Sequence, residues 1–294
     1  MQPPLRTPVS YGHRVARTKK LFASLTRRGP HRVLRGDLAF AGLAGVVYTP
    51  ESGKNLPGVA FGHDWLAGAD RYEGTLEHLA SWGIVAAAPN TETGIAPSVL
   101  NLAFDLGTTL DIIAGVRLGT GKISVHPTKL GVVGHGFGGS AAVFTAAGLA
   151  DKVKAAAALF PSVSQPPAEE PAAGLRVPGL ILAAPDHTSS IKSNVTALNV
   201  AWKSATLRTV AKAEAGGLVE GIRLTRVVGL PGADRRTQKT TRALLTGFLL
   251  HTLAGDKAYK EFSDPEATLP RTVAPDPDAP PVSLEDKVVA LLKR

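Results

Sequence analysis

The stretch GVVGHGFGGSAAV, residues 131–143, decides the fold. An apolar strand runs into a glycine-rich turn, and the small residues after the turn favour the start of a helix. This order is typical of a nucleophile elbow, a tight Gly-x-Ser-x-Gly turn that lifts a serine above a parallel sheet. Gly136 stands where that pattern has its serine. The stretch therefore predicts the turn but supplies no side chain for its nucleophile.

On both sides of this stretch the sequence alternates between strand and helix patterns. Leu102, Leu106 and Leu110 recur at helical spacing, as in a crossover helix that packs on a sheet. The predicted strands are 41–50, 56–63, 84–90, 129–135, 153–161, 177–185 and 221–230, and the predicted helices are 71–83, 99–119, 139–150 and 236–255. Such alternation predicts an α/β protein with a mainly parallel, twisted sheet that has helices on both faces.

The chain of 294 residues is long enough for one α/β domain with additional segments at its ends. We expect a basic N-terminal arm over 1–32 and a central domain over 33–266. Residues 267–294 combine a Pro/Asp-rich linker with a short amphipathic helix, which begins with a capping pattern at Ser283.

Six segments of the central domain carry a resemblance to a known family. They are FGHDW (61–65), HLASWGIVAAAPNTET (78–93), TKLGVVGHGFGGSAAV (128–143), VPGLILAAPDHT (177–188), VVGLPGADRR (227–236) and FLLHTLAGDKAYKEF (248–262). In order and spacing they resemble the α/β-hydrolases of the dienelactone-hydrolase and polyester-hydrolase, or cutinase-like, group. The resemblance implies the α/β-hydrolase fold for the domain.

The resemblance also implies a catalytic triad, and this chain departs from it at all three positions. The family has a serine in the elbow, an acid after the next-to-last strand and a histidine after the last strand, which together activate a hydroxyl to attack a carbonyl. Gly136, His187 and Arg235 stand at these positions, with Asp186 and Asp234 as neighbours. The chain has no cysteine to replace the serine as nucleophile. We therefore expect a degenerate triad and no catalytic residues.

A binding role is compatible with what is left of the site. The resemblance places the two N–H groups of the oxyanion hole at Phe137 and His63, where they would bind a small acyl or anionic ligand. Asp64, Trp65 and His135 lie beside them in the sequence. Trp65 either stacks on a ligand or fills the space of a former substrate. The primary hypothesis is thus an inactive homologue that binds a ligand or a protein partner.

The alternative hypothesis is a hydrolase that acts on carboxylic esters through a rearranged or metal-assisted site. Such a site would use His63, His135 and His187. The sequence contains no local metal-binding motif, and we expect neither a metal nor another cofactor.

The net charge of +9 lies in the N-terminal arm, since residues 1–35 contain nine basic and no acidic residues while the remainder has 24 of each. Val15, Phe22 and Leu25 would share one helical face, which leaves open an anionic membrane surface as partner of residues 1–32 as well as a solvated tail. Nucleic acid is disfavoured because the arm has few aromatic residues. Without a signal-peptide pattern or an apolar run of about 18 residues, we expect a cytoplasmic protein, either free or at the membrane periphery.

Overall fold

The structure is a computed structural model, and it describes residues 8–186, 190, 192–221 and 232–273. Within these residues one sheet contains the strands β1 Val33–Asp37, β2 Gly45–Pro50, β3 Gly53–Gly62, β4 Val85–Pro89, β5 Ile123–His135, β6 Val153–Leu159, β7 Gly179–Ala183, β8 Ala205–Val210 and β9 Thr272–Val273. The helices are α1 Pro8–Leu25, α2 Glu73–Ser81, α3 Val99–Gly115, α4 Phe137–Gly148, α5 Glu169–Ala172, α6 Val195–Ala201 and α7 Arg235–Thr252.

The strands lie in the order β1-β2-β4-β3-β5-β6-β7-β8-β9. The run from β4 to β8 is parallel throughout, whereas β1 and β2 at one edge and β9 at the other are paired antiparallel. The carboxyl ends of β3 and β5 are neighbours, with Gly62 paired to Gly134. This pairing brings the loop after β3 next to the turn after β5.

Two apolar layers cover the two faces of the sheet because successive side chains of a strand point to opposite sides. Val59 and Phe61 of β3 belong to one layer, to which α2 and α7 contribute, and Ala60 belongs to the other, to which α3 and α4 contribute. The predicted architecture, a mostly parallel sheet with helices on both faces, is confirmed.

Strands β2 to β7 lie where the sequence predicts strands, but β8 was not predicted. Its sequence, ATLRTV, contains polar residues at most positions and a buried arginine, Arg208, so it lacks the apolar run that marks a central strand. The strand predicted over 221–230 lies almost entirely outside the described residues, and the predicted helix over 283–294 lies wholly outside them.

The helix of the basic arm packs on the domain. Phe22 and Leu25 of α1 are buried in the same apolar layer as α2 and α7. The chain that follows is also attached, since Ser81 Oγ accepts the N–H of Gly29 and Trp82 Nε1 donates to the carbonyl of Arg27. Two of the three apolar side chains that favoured a membrane contact thus face the protein's own core. Among the helices of the described residues, none combines the length and the apolar content needed to cross a membrane.

Candidate functional site

The turn between β5 and α4 has the backbone of a nucleophile elbow. Gly136 adopts φ 52° and ψ −116°, a conformation that side-chain-bearing residues rarely occupy. The flanking glycines are required by close packing, because a Cβ on Gly134 would overlap the backbone of Gly138 and a Cβ on Gly138 would overlap that of Gly62. The predicted elbow is therefore present, with a glycine at its apex.

The carboxylate of Asp64 occupies the space in which a side chain on Gly136 would begin. A Cβ built on Gly136 would lie 2.7 Å from Asp64 Oδ2 and would overlap Oδ1 and Cγ. Asp64 belongs to the loop after β3, which the pairing of β3 with β5 places beside the elbow. The acidic side chain of one loop thus fills the nucleophile's place in another.

Two backbone N–H groups hold this carboxylate. Asp64 Oδ1 accepts hydrogen bonds from the N–H of Phe137, at 2.9 Å, and from the N–H of Trp65, at 2.8 Å. Phe137 is the first residue of α4, and the positive end of a helix dipole favours an anion there. The N–H of Phe137, predicted to bind an anionic ligand, is therefore already engaged by the protein's own anion, and the second donor is Trp65 rather than His63.

Behind the carboxylate a chain of hydrogen bonds runs through Tyr72 and His135. The N–H of Asp64 donates to the hydroxyl of Tyr72 at 3.0 Å, and Tyr72 Oη lies 2.8 Å from His135 Nδ1. His135 Nε2 lies 2.9 Å from the carbonyl oxygen of Ala215. An imidazole protonated on Nε2 satisfies every contact, since it donates to Ala215 and accepts the hydroxyl hydrogen of Tyr72 on Nδ1.

Burial keeps both rings of this chain neutral. The imidazole of His135 is 1% exposed, and desolvation lowers its pKa although the charge of Asp64 acts in the opposite direction. Burial, and next the charge of Asp64, raise the pKa of Tyr72 well above its usual value. Neither group has a free position from which to exchange a proton with a ligand, so the chain is a support for Asp64 rather than a proton relay.

His63 is also engaged on both ring nitrogens. The side chain is fully buried, with Nδ1 2.9 Å from the carbonyl oxygen of Asp64 and Nε2 2.7 Å from that of Thr91. Neither nitrogen is directed at open space where a metal or a water would bind. In the part of the chain that the structure describes, no group of three or more His, Cys, Asp or Glu side chains is arranged to hold a metal ion.

The residues predicted at the acid and histidine positions have different locations. Asp186 follows β7 and is exposed, and His187 lies outside the described residues. Asp234 caps α7 by accepting the N–H of Thr237 at 2.7 Å, and Arg235 is the exposed first residue of that helix. Both residues near 235 thus serve the start of a helix.

The loop that approaches the elbow is instead the one after β8. It contains the short 3₁₀ helix Ala215–Leu218, and the carbonyl of Ala215 contacts His135 directly. Sequence reasoning missed Ala215 because it missed β8. It also missed Tyr72, which stands in the segment 71–83 that was interpreted as a helix and has no pattern that marks it as a contact of the elbow.

Exposed apolar side chains flank the carboxylate. Trp65 is 52% exposed, and its indole N–H donates to the carbonyl of Ile95 at 3.0 Å. Leu66 and Ile95 are exposed as well. Trp65 is therefore held at the surface beside Asp64 and does not fill a closed pocket. Ser140, the nearest hydroxyl downstream of the turn, is fully buried and donates to the carbonyl of Ser162 at 2.6 Å.

Comparison with known protein families matches residues 43–210, more than half of the chain, to the dienelactone hydrolase family. The match begins just before β2 and ends with β8, and it includes the elbow and the loop of Asp64. A search of curated proteins finds no match. The likeness to polyester hydrolases and cutinases stays a prediction, because the matched family is that of the dienelactone hydrolases alone.

Proposed function

This chain belongs to the dienelactone hydrolase family and has its α/β-hydrolase fold, and from that premise we propose that it is a non-catalytic member. Its function in this proposal is to bind a ligand or a protein partner at the former catalytic elbow. The observation that carries the proposal is the position of Asp64, whose carboxylate fills the nucleophile's place above Gly136.

Acyl transfer at this elbow lacks its first requirement. The reaction needs a nucleophile that attacks a carbonyl and N–H groups that stabilise the oxyanion as it forms. Gly136 has no side chain, and the N–H of Phe137 donates to Asp64. A carboxylate at this point repels the negative charge that develops in the transition state, so the site opposes the reaction that the fold usually supports.

The base is missing as well. The family resemblance requires a histidine after the last parallel strand, and β8 is the last parallel strand of the described sheet. Residues 211–221, which follow β8, contain no histidine. We therefore place the degenerate histidine position in this loop, with Ala215 as the residue nearest the elbow, instead of at Arg235. The acid position stays at Asp186 and His187.

The alternative, an ester hydrolase with a rearranged or metal-assisted site, is less favoured by the geometry. It needs an imidazole that takes a proton from water or binds a metal. Both nitrogens of His135 and both of His63 already face hydrogen-bonding partners. The alternative would then depend on His187, together with residues that have not been considered for catalysis.

The test is activity-based and uses the purified full-length protein. A panel of short-chain nitrophenyl esters is assayed beside labelling with a fluorophosphonate probe, and the variant Ser140→Ala serves as control for a displaced serine nucleophile. We expect hydrolysis at the rate of the buffer and no labelling of either protein. Turnover that co-purifies with the protein and resists serine-directed inhibitors would support the metal-assisted alternative. Labelling that Ser140→Ala removes would show that a serine has taken over.

A further inference from the structure

The position of Asp64 indicates which kind of ligand this site accepts. We infer that the elbow binds organic cations, amines or guanidines with an apolar substituent, through the carboxylate of Asp64 and the exposed ring of Trp65. The inference rests on the proposed function, because it names the ligand class of the same non-catalytic site.

The first argument is the polarity of the site. An elbow with free N–H groups attracts anions and carbonyl oxygens. Here Asp64 Oδ1 accepts the N–H groups of Phe137 and Trp65, so these donors are turned to an internal partner. What the site offers a ligand is Asp64 Oδ2, an acceptor with a share of the negative charge. The polarity is thereby inverted, and the matching ligand is a hydrogen-bond donor with positive charge.

The second argument is the missing counter-charge. The side chain of Asp64 is 29% exposed, and within the described residues its one ionisable neighbour of basic type is His135, with Nδ1 3.9 Å from Oδ2. Burial lowers the pKa of His135, and its Nδ1 is occupied by the hydroxyl of Tyr72, so it supplies no positive charge. A largely buried charge is ordinarily paired, and a ligand cation would complete the pair.

The third argument is the apolar surface next to the carboxylate. Trp65 follows Asp64 in the sequence, and its bond to the carbonyl of Ile95 fixes the indole at the surface. The exposed fractions of Trp65, Leu66 and Ile95 are 52%, 56% and 84%. A tryptophan face attracts cations, and the neighbouring aliphatic side chains would cover an alkyl substituent. A small inorganic cation would leave this surface unused.

Isothermal titration calorimetry of the full-length protein tests the inference with three probes of one shape: hexylammonium, hexanol and hexanoate. Ammonium chloride is the probe for charge without an apolar arm. We expect hexylammonium to bind at least tenfold more tightly than any of the others. The variant Asp64→Asn should lower its affinity at least tenfold, since the amide keeps the acceptor for Phe137 but removes the charge. The exposed Asp111→Asn, which disturbs only the ion pair with Lys152, should leave it unchanged.

Three results would overturn the inference: no heat from hexylammonium at millimolar concentration, hexanoate binding as tightly as hexylammonium, or unchanged affinity in Asp64→Asn. Near-ultraviolet circular dichroism of the variant confirms that it is folded. The ester assay separates the two proposals. An inactive protein that ignores hexylammonium refutes only the ligand class, whereas an active esterase that binds hexylammonium refutes only the non-catalytic role.

Discussion

The overlap between Asp64 and a side chain on Gly136 predicts a strong energetic coupling between the two positions. In Gly136→Ala, the new Cβ would lie within 2.7 Å of all three atoms of the carboxyl group. Asp64 must then leave the place where Phe137 and Trp65 donate to it. In Asp64→Ala this space is empty, and the same methyl group at Gly136 meets no carboxylate.

The magnitudes follow from the contacts. A side chain at φ 52° costs about 1–3 kcal/mol of backbone strain, whatever stands at position 64. Displacing Asp64 forfeits charge-assisted hydrogen bonds, for which about 2 kcal/mol is a central value. Gly136→Ala should thus lower the free energy of unfolding by about 3–5 kcal/mol, and the double variant by about 2 kcal/mol less than the sum of the single variants.

Urea unfolding followed by tryptophan fluorescence measures the four free energies of this cycle. The matched control is Gly148→Ala at the end of α4, where a Cβ meets nothing within 4 Å. We expect that control to be neutral or slightly stabilising and additive with Asp64→Ala. Additive free energies for Gly136→Ala and Asp64→Ala would show that the carboxylate does not occupy the elbow, and the reasoning would fail.

Other elements of the fold give three further predictions. Burial lowers the pKa of His78 from 6.5 to about 4, so the unfolded chain gains a proton across that range which the native protein does not bind. The stability due to neutral His78 is then complete above pH ~6.5 and falls by about 3 kcal/mol towards pH ~4; urea unfolding of His78→Leu should lack this part of the slope, and an identical slope would contradict it. Glu220 accepts two N–H groups at the start of α2 and pairs with Arg242, so Glu220→Ala should cost about 3 kcal/mol in denaturant unfolding. The exposed Glu77→Ala is its control and should cost under about 1 kcal/mol, and equal losses would refute the hub role. Phe22→Ala should lower stability by about 3 kcal/mol without changing co-sedimentation with anionic vesicles; the opposite pattern would mean that α1 uses this face on membranes.

The α/β order and the elbow were predictable because each rests on a local pattern. Strands β3 and β5 are apolar runs that end in glycine and histidine, and the small residues after Gly136 favour a helix. Strand β8 was not predictable in this way. Its Arg208 is buried, with burial lowering its pKa to about 10, and it donates to the carbonyls of Glu261, Asp264 and Ala267, about 55 residues further along the chain. No local pattern signals that such partners will be present.

The site shows the same division. The sequence correctly predicted that Asp64, Trp65, His135 and Phe137 lie together, because they follow two strands whose carboxyl ends meet in a parallel sheet. It did not predict that the carboxylate of Asp64 would turn into the space above Gly136. That placement depends on the distance between two loops, which the pairing of β3 with β5 sets.

The measurement that tests the central claim most directly is steady-state hydrolysis of nitrophenyl acetate by the wild-type protein and by Asp64→Asn, side by side. If the elbow is non-catalytic and Asp64 occupies the place of its nucleophile, both proteins hydrolyse the ester no faster than buffer. If the wild-type protein turns over the ester and Asp64→Asn abolishes that turnover, Asp64 is itself a catalytic residue and the protein is an enzyme.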